Sequence, residues 1–152
     1  MHVTVRRPQK GLVVDAKTEN PVPGARVVIE SWQFEAPPGD VNHRWLLHTT
    51  EVKTDASGSW QVDEEKDWKW AILAADGFPA FKDSACVLAP GYQPAIVNPW
   101  RLEGSSEPDR KVRDEMLGTK IPGTFRLLSG AGTIPSGKGT STCGIPLKAP
   151  RQ

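Results

Sequence analysis

The residues with the most suggestive spacing for chemistry lie near the carboxyl end, where Gly132–Thr140 reads Gly-Thr-Ile-Pro-Ser-Gly-Lys-Gly-Thr. This pattern matches the nucleotide-kinase form of a phosphate loop, in which backbone N–H groups and a lysine cradle phosphates at the start of a helix. Arg126–Leu128 could supply the preceding strand. The short stretch after Thr140 includes Gly144 and Pro146, which oppose a helix. We therefore interpret the match as a Gly-rich tail and predict no nucleotide or other cofactor.

Histidines offer a second possible chemistry, because imidazoles are common metal ligands. The chain has His2, His43 and His48. His43 and His48 flank Trp45 in a strand-like segment, and their odd separation would point them to opposite faces of a strand. We therefore expect surface imidazoles and no metal site.

The two cysteines, Cys86 and Cys143, lie far apart and form no CxxC motif. In an exported protein such a pair indicates a disulfide, whereas in the cytosol it would be two buried thiols. We predict a Cys86–Cys143 disulfide that ties the C-terminal part of the chain to the domain.

Tryptophan is abundant, and the six residues are Trp32, Trp45, Trp60, Trp68, Trp70 and Trp100. Strand alternation would place Trp68 and Trp70 on one face with Ile72. One interpretation is a Trp-rich core and sheet edge. The other is that one or two of the rings are exposed anchors for a protein or a glycan, since Trp is enriched at binding hot spots.

Composition and charge exclude several classes of protein. The chain has 152 residues, 38% hydrophobic content, 24% charged content and a formal net charge of +1. No global field therefore attracts nucleic acid or anionic lipid, and no apolar run is long enough to span a membrane. The segment 116–152 holds no acidic residue, which indicates either a solvated end or a contact for an acidic partner. The start lacks a signal-peptide core, and we expect a periplasmic or otherwise exported protein whose signal peptide has been removed.

Short apolar runs separated by Gly and Pro turns are typical of a β-sandwich. The predicted strands are Val3–Val5, Leu12–Val14, Ala25–Phe34, Trp45–Thr54, Ser59–Val62, Trp68–Ala75 and Ala85–Ala89, with Tyr92–Val97 as a further candidate. Within Ala25–Phe34 we expect Val27, Ile29 and Trp32 to point inward. Asp55–Gly58 is predicted to be a type I turn that closes a hairpin.

Beyond Trp100 the composition changes. Glu107–Leu117 is predicted to be a short helix, capped by Ser105 or Ser106 and followed by Gly118. We predict a sandwich domain over residues 1–102. Residues 103–152 form an extension with an irregular Gly/Pro/Ser/Thr-rich tail that packs on the sandwich or trails from it.

Three motifs in order resemble the carboxypeptidase regulatory-like, or transthyretin-like, β-sandwich family. They are Gly11–Ala25, Thr54–Trp60 and Ala89–Tyr92, which look like the family's opening strand and turn, its Thr-Asp-x-x-Gly turn and its Pro-Gly-Tyr strand end. The resemblance covers residues 3–97. It implies an all-β, seven-stranded Greek-key sandwich with a binding or accessory role, and it names no substrate.

Enzymes also occur on this fold, and their signatures are missing from the sequence. Transthyretin-related hydroxyisourate hydrolases end in Tyr-Arg-Gly-Ser, whereas this chain ends Ala-Pro-Arg-Gln. Intradiol dioxygenases need two tyrosines and two histidines for iron, and Tyr92 is the single tyrosine here. No Gly-x-Ser-x-Gly elbow is present. The sequence therefore favours a protein that is not an enzyme.

The favoured hypothesis is a module that binds a protein partner through loops on a rigid sandwich. Candidate surfaces are Glu35–Arg44 and Asp76–Asp83, and the candidate contact residues are His43, Arg44, Trp45, Phe78, Phe81 and Lys82. A special case is a stand-alone inhibitor, such as an immunity protein that blocks a bacterial toxin. The alternative is a carbohydrate or cell-wall binding module that uses exposed Trp faces.

Overall fold

The computed structural model describes residues 3–34, 44–67, 80–99, 121–134 and 137–147. These residues hold nine strands, which are β1 Val3–Arg6, β2 Gln9–Asp15, β3 Arg26–Phe34, β4 Arg44–Lys53, β5 Ser59–Val62, β6 Glu65–Asp67, β7 Ala80–Leu88, β8 Ala95–Val97 and β9 Thr124–Leu127. The described part is all-β, and it contains no helix that could cross a membrane. The predicted helix 107–117 and the predicted strand Trp68–Ala75 lie outside the described residues.

The strands form two principal sheets and a ribbon. One sheet has the order β4-β3-β7-β8, with every pair antiparallel. The other has the order β5-β2-β9, in which β5 is antiparallel and β9 parallel to the central β2. The ribbon pairs β1 with β6.

The two sheets face each other across one hydrophobic core, in a sandwich-like arrangement. The three-stranded sheet contributes Val13, Trp60, Val62, Phe125 and Leu127, and the four-stranded sheet contributes Val27, Ile29, Ala85 and Val87. The rings of Trp60 and Phe125 meet with centroids 6.2 Å apart at an interplanar angle of 49°, a tilted contact that aromatic pairs favour. Strand alternation thus delivers every second side chain to this core.

The sandwich is not confined to residues 1–102. Strand β9 pairs with β2 from Leu12 to Asp15, and its Phe125 and Leu127 are buried in the core. Buried and exposed positions alternate in β9. A four-residue strand needs only two apolar side chains on one face to join a core, which explains why a segment without a long apolar run enters the sandwich.

The turn Asp55–Gly58 does not close a hairpin. Strand β4 pairs with β3 in one sheet and β5 pairs with β2 in the other, so the turn carries the chain across the sandwich. Its internal bonds are those of a tight turn, in which the Gly58 N–H donates to the Asp55 carbonyl at 3.0 Å. Gly58 has φ +75 and lies so close to Val13 that a Cβ atom would meet its carbonyl oxygen at 2.6 Å. The glycine therefore serves the close approach of the turn to strand β2 as well as the turn itself.

Thr54 secures this crossing. Its buried hydroxyl donates to the Val22 carbonyl at 2.6 Å and accepts from the Ala25 N–H at 2.9 Å. The backbone adds bonds from Gly24 N–H to the Thr54 carbonyl and from Thr54 N–H to the Ala25 carbonyl. One side chain thus joins the end of β4 to the turn that precedes β3.

Strand β3 is buried on both faces, from Val27 to Gln33. Val27 and Ile29 point into the main core, as predicted. Trp32 is fully buried but belongs to the outer face, where its indole N–H donates to the Ser84 hydroxyl at 2.8 Å. The prediction that it points inward is wrong, because it shares the alternation of Val28 and Glu30.

The C-terminal loop 137–147 covers that outer face. Cys143 is bonded to Cys86, with Cα atoms 5.6 Å apart, and both cysteines pack with Val28 and Ile134. Glu30 is fully buried there. Its carboxylate accepts hydrogen bonds from the Ser141 hydroxyl at 2.8 Å, the Ser84 hydroxyl at 3.2 Å and the Cys143 N–H at 3.4 Å. Three donors replace the water that this buried carboxylate has lost.

The predicted Cys86–Cys143 disulfide is present, and its removal should be costly. The bond closes a sequence separation of 57 residues, for which the loss of chain entropy in the unfolded state corresponds to about 4 kcal/mol. We expect the double variant Cys86→Ala/Cys143→Ala to lose about that much free energy of unfolding in urea titrations. Protein made in an oxidising compartment should show no free thiol in denaturant without reductant, and two free thiols would contradict the pairing.

Thr54→Val tests the crossing between the sheets. The substitution keeps the shape of the side chain and leaves the Ala25 N–H and the Val22 carbonyl without their partner, so we expect a loss of about 3 kcal/mol in the free energy of unfolding. Thr54→Ser is the matched control, because it keeps the hydroxyl and should cost at most about 1 kcal/mol. Equal losses in both variants would show that the hydroxyl does not secure the crossing.

Candidate functional site

Four of the six predicted contact residues meet at one end of the four-stranded sheet. Gln33 pairs with Trp45 on one side and Phe81 on the other. In the neighbouring rows, Phe34 pairs with Arg44, and Trp32 pairs with Lys82. His43 and Phe78 lie outside the described residues, and so do the loop residues 35–43.

Phe81 and Lys82 were expected in the loop Asp76–Asp83, but they lie in strand β7. The described part of that segment, 80–83, pairs with β3 along its whole length. The sequence pattern missed this because the run mixes Lys and Asp with small residues. Neighbouring β3 supplies the pairing that these residues do not signal by themselves.

Trp45 is the most exposed of the described tryptophans. It is 42% exposed on strand β4, whereas Trp32 and Trp60 are 0% and 3% exposed. Trp68, Trp70 and Trp100 lie outside the described residues. The core interpretation therefore holds for two of the three described rings, and among those three the anchor interpretation is open to Trp45 alone.

A layer of buried polar side chains lies directly behind this sheet end. Arg6, which is 3% exposed, reaches from strand β1 and donates to the Thr50 hydroxyl at 2.9 Å and the Asp63 carbonyl at 2.7 Å. Glu65 lies 3.9 Å from the same guanidinium and 3.4 Å from the imidazole of His48. The ribbon β1–β6 is thus attached to the four-stranded sheet by charged and hydrogen-bonded groups.

Several polar atoms in this layer are buried without a hydrogen-bond partner among the described residues, namely Arg6 Nε, Ser31 Oγ, Gln33 Oε1 and Asp83 Oδ1. A buried polar group without a partner costs about 1–3 kcal/mol. Such atoms are rare in native proteins, so their concentration behind one surface marks this end of the molecule as unusual.

Asp83 is a half-buried carboxyl group of this layer. Burial raises the pKa of Asp83 above its ordinary value of 3.8, because desolvation disfavours the carboxylate. Four side chains oppose the rise. They are the Ser31 hydroxyl, which lies opposite Asp83 without meeting hydrogen-bond geometry, the Arg6 guanidinium, Gln9, which donates to Asp83 Oδ2 at 2.9 Å, and the Lys82 ammonium.

A cleft of about 460 Å³ opens beside Asp83. Its walls come from β2, β5, β7 and the segment before β9, and they are Pro8, Gln9, Lys10, Trp60, Phe81, Lys82, Asp83, Ile121, Pro122 and Gly123. The cleft therefore joins the predicted contact residues Phe81 and Lys82 to the polar layer. Sequence reasoning missed Gln9, Lys10 and Gly123, because nothing in their local pattern shows that strands distant in sequence bring them together.

The Tyr92 hydroxyl and the Asp15 carboxylate, which could take part in proton transfer, bind each other and have a structural role. The Tyr92 hydroxyl donates to Asp15 Oδ2 at 2.9 Å, and Asp15 Oδ1 accepts from the N–H groups of Lys17 and Thr18. The hydrogen bonds from the Thr18 and Lys17 backbone, followed by that from Tyr92, hold the pKa of Asp15 below its ordinary value. The bond to Asp15 in turn raises the pKa of Tyr92. This pair joins the turn after β2 to the strand end that precedes β8.

Residues 137–140 of the segment that matches a phosphate loop belong to the covering loop. The Thr140 hydroxyl donates to the Gly137 carbonyl at 2.9 Å. The chain then doubles back, with hydrogen bonds from the Gly144 N–H to the Ser141 carbonyl and from the Ser141 N–H to the Ile145 carbonyl. No helix begins in the described residues 137–147, so this segment lacks the N-terminal dipole that a phosphate loop uses. No cluster of three or more metal-ligating side chains occurs in the described part of the chain.

Comparison with known proteins assigns no family. No family model and no curated protein matches the sequence. Solved structures with partial similarity include wild-type catechol 1,2-dioxygenase of Acinetobacter radioresistens, with 16% identity, a TM-score of 0.41 and coverage of 98% of this chain and 57% of the enzyme. Two point mutants of that enzyme give 18% identity, the same TM-score and coverage of 89% and 55%. The chain thus spans little more than half of that enzyme, and similarity at this level transfers no activity.

Titration of Asp83 should be visible in the pH dependence of stability. Because folding raises its pKa above 3.8, Asp83 contributes most below that pH, and its contribution is lost as pH rises through the folded pKa. We expect Asp83→Asn to gain stability relative to the wild type between about pH 3.8 and neutrality, measured by urea unfolding across that range.

Asp55→Asn is the control with the opposite sign. The Ser57 hydroxyl and then the Ser59 N–H hold the pKa of Asp55 below its ordinary value, so its contribution is present above pH 3.8 and is lost as pH falls. Relative to the wild type, Asp55→Asn should therefore lose stability as pH rises. Parallel pH profiles for the two variants would sink the assignment of a raised pKa to Asp83.

Proposed function

We propose that this chain is a non-catalytic module that binds a protein partner through the end of its four-stranded sheet. The observation that carries the proposal is the row Trp45–Gln33–Phe81 across three adjacent strands. Two segments that are distant in sequence, each selected from the sequence for its aromatic and basic residues, supply neighbouring positions on one rigid surface. Trp is among the side chains most enriched at binding hot spots, and the row includes the exposed Trp45.

The chemistry of the described residues supports binding over catalysis. Tyr92 is engaged with Asp15, Ser84 and Ser141 are engaged with Glu30, and both cysteines are joined to each other. The side chains that could act as nucleophiles or proton donors in these places are thus used to attach loops to the sandwich.

We further propose that the module is exported and has the transthyretin-like, carboxypeptidase regulatory-like topology. A disulfide is typical of proteins in oxidising compartments. Each of the three motifs that carry the resemblance has a structural role, since Gly11 packs against Gly123, Asp55 caps the crossing turn and Tyr92 binds Asp15. A stand-alone inhibitor, such as an immunity protein, is the special case that a small module without chemistry suits best.

Carbohydrate binding is the second candidate, and it rests on the exposed ring of Trp45. Sugar rings stack on aromatic faces. With Trp32 and Trp60 buried, a glycan site in the described part of the chain would have to use Trp45 with Phe81, and its signature would be a change in Trp fluorescence on titration with sugars.

Affinity capture from the native host with matched variants tests the proposal. We expect a stoichiometric protein partner to be retained by the wild type, and Trp45→Ala and Phe81→Ala to weaken its binding by about 30-fold each, as loss of a hot-spot aromatic ring typically does. Binding constants would come from calorimetry with the purified partner.

Leu128→Ala is the control, because Leu128 is 61% exposed and lies beside Gln93, away from the sheet end that carries Trp45 and Phe81. A partner whose affinity falls equally in all three variants would argue against the sheet end. Retention of no protein, together with quenching of Trp45 fluorescence by a sugar, would favour the glycan alternative.

A further inference from the structure

A second cleft continues from the one beside Asp83 along the outside of the three-stranded sheet. It measures about 620 Å³ and is lined by Lys10, Gly11, Leu12, Lys53, Asp55, Ser59, Trp60, Gln61, Gly123 and Thr124. Lys10, Trp60 and Gly123 line both clefts, so the two adjoin. We call the pair the Lys10 groove. It extends from Phe81 and Asp83 at one end to Lys53 and Asp55 at the other.

Two lysines of the groove are available to a ligand, whereas its carboxylates are already engaged. Lys10 and Lys53 are exposed and form no ion pair with any described residue. Asp55 Oδ1 accepts three hydrogen bonds within its own turn, from the N–H groups of Ser57 and Ser59 and from the Ser57 hydroxyl. Asp83 accepts from Gln9. The groove therefore presents positive charge that its own carboxylates do not neutralise through direct contact.

The groove also contains apolar surface between Lys10 and Lys53. Leu12 is 41% exposed although it lies on the central strand of its sheet. The neighbouring wall residue Trp60 has an indole N–H that is buried without a hydrogen-bond partner among the described residues. Ile121 and Pro122 line the other cleft. A ligand that alternates acceptor and apolar groups would satisfy all of these together.

We propose that the Lys10 groove binds an extended acidic segment of the partner protein, with carboxylates on Lys10 and Lys53 and an apolar side chain on Leu12. The inference rests on the proposed function and specifies the chemistry of the partner. In an extended segment, side chains on one side repeat every two residues, at about 7 Å, which lets acidic and apolar side chains face the groove in turn. Charge complementarity of this kind steers association and selects among partners.

The experiment uses a fluorescein-labelled peptide of sequence Glu-Ser-Leu-Ser-Asp-Ser-Leu-Ser-Glu with blocked ends, in which acidic and apolar side chains alternate along one face of an extended chain, and fluorescence anisotropy with the full chain. A matched peptide carries Gln and Asn in place of Glu and Asp. We expect the acidic peptide to bind at least about tenfold more tightly than the neutral one. Raising the salt from about 50 mM to about 500 mM should remove most of that difference, because screening weakens exposed ion pairs.

Charge reversal identifies the site. Lys10→Glu/Lys53→Glu should weaken binding of the acidic peptide at least about tenfold, and Lys17→Glu, which changes an exposed lysine in the turn after β2, should leave it within about twofold. Equal affinity for the acidic and neutral peptides, equal effects of the groove and Lys17 variants, or equally tight binding of a single-stranded oligonucleotide would each overturn the proposal.

Its failure is distinguishable from failure of the proposed function. If the acidic peptide does not bind while Trp45→Ala and Phe81→Ala still release the captured partner, the groove proposal falls and the binding surface at the sheet end stands. If the peptide binds the groove and those two variants retain the partner as well as Leu128→Ala does, the sheet-end assignment falls instead.

Discussion

Burial of strand β3 on both of its faces is the constraint on which the rest of the structure depends. One face supplies Val27 and Ile29 to the core between the sheets, and the other carries Val28, Glu30 and Trp32. A strand in the middle of an antiparallel sheet can leave one face in water. Here the second face holds apolar side chains and a carboxylate inside the protein, so it requires a cover that is both apolar and rich in hydrogen-bond donors.

The C-terminal loop meets both requirements. Cys143 of the loop packs on Val28 together with Ile134, which precedes the loop. The loop also brings the Ser141 hydroxyl and the Cys143 N–H to Glu30. Ordering the loop costs conformational entropy, which the burial of Ile145 and the disulfide both offset. By joining the loop to β7, the bond keeps the donors beside Glu30.

The binding surface that we propose lies at the end of the same sheet, with the groove beside it. There the packing is of the opposite kind, with the buried Gln33 between Trp45 and Phe81 in the row, and with the buried Arg6 and the half-buried Asp83 near it. Proteins concentrate such poorly satisfied polar groups at functional sites and offset their cost elsewhere. The hydrogen bonds of Thr54 and the core around Trp60 stabilise the fold and offset that cost.

The sequence by itself determined the all-β class, the positions of most described strands and the cysteine pair, because alternation, turn residues and the count of two cysteines are local or nearly local signals. It also selected Arg44, Trp45, Phe81 and Lys82. It did not show that Asp55–Gly58 crosses between sheets, that Phe125 and Leu127 enter the core, or that Lys10, Lys53 and Trp60 line one groove. Only the tertiary structure decided these, since a turn motif does not specify which strands it joins, and a groove built from four separate segments has no signature in any one of them.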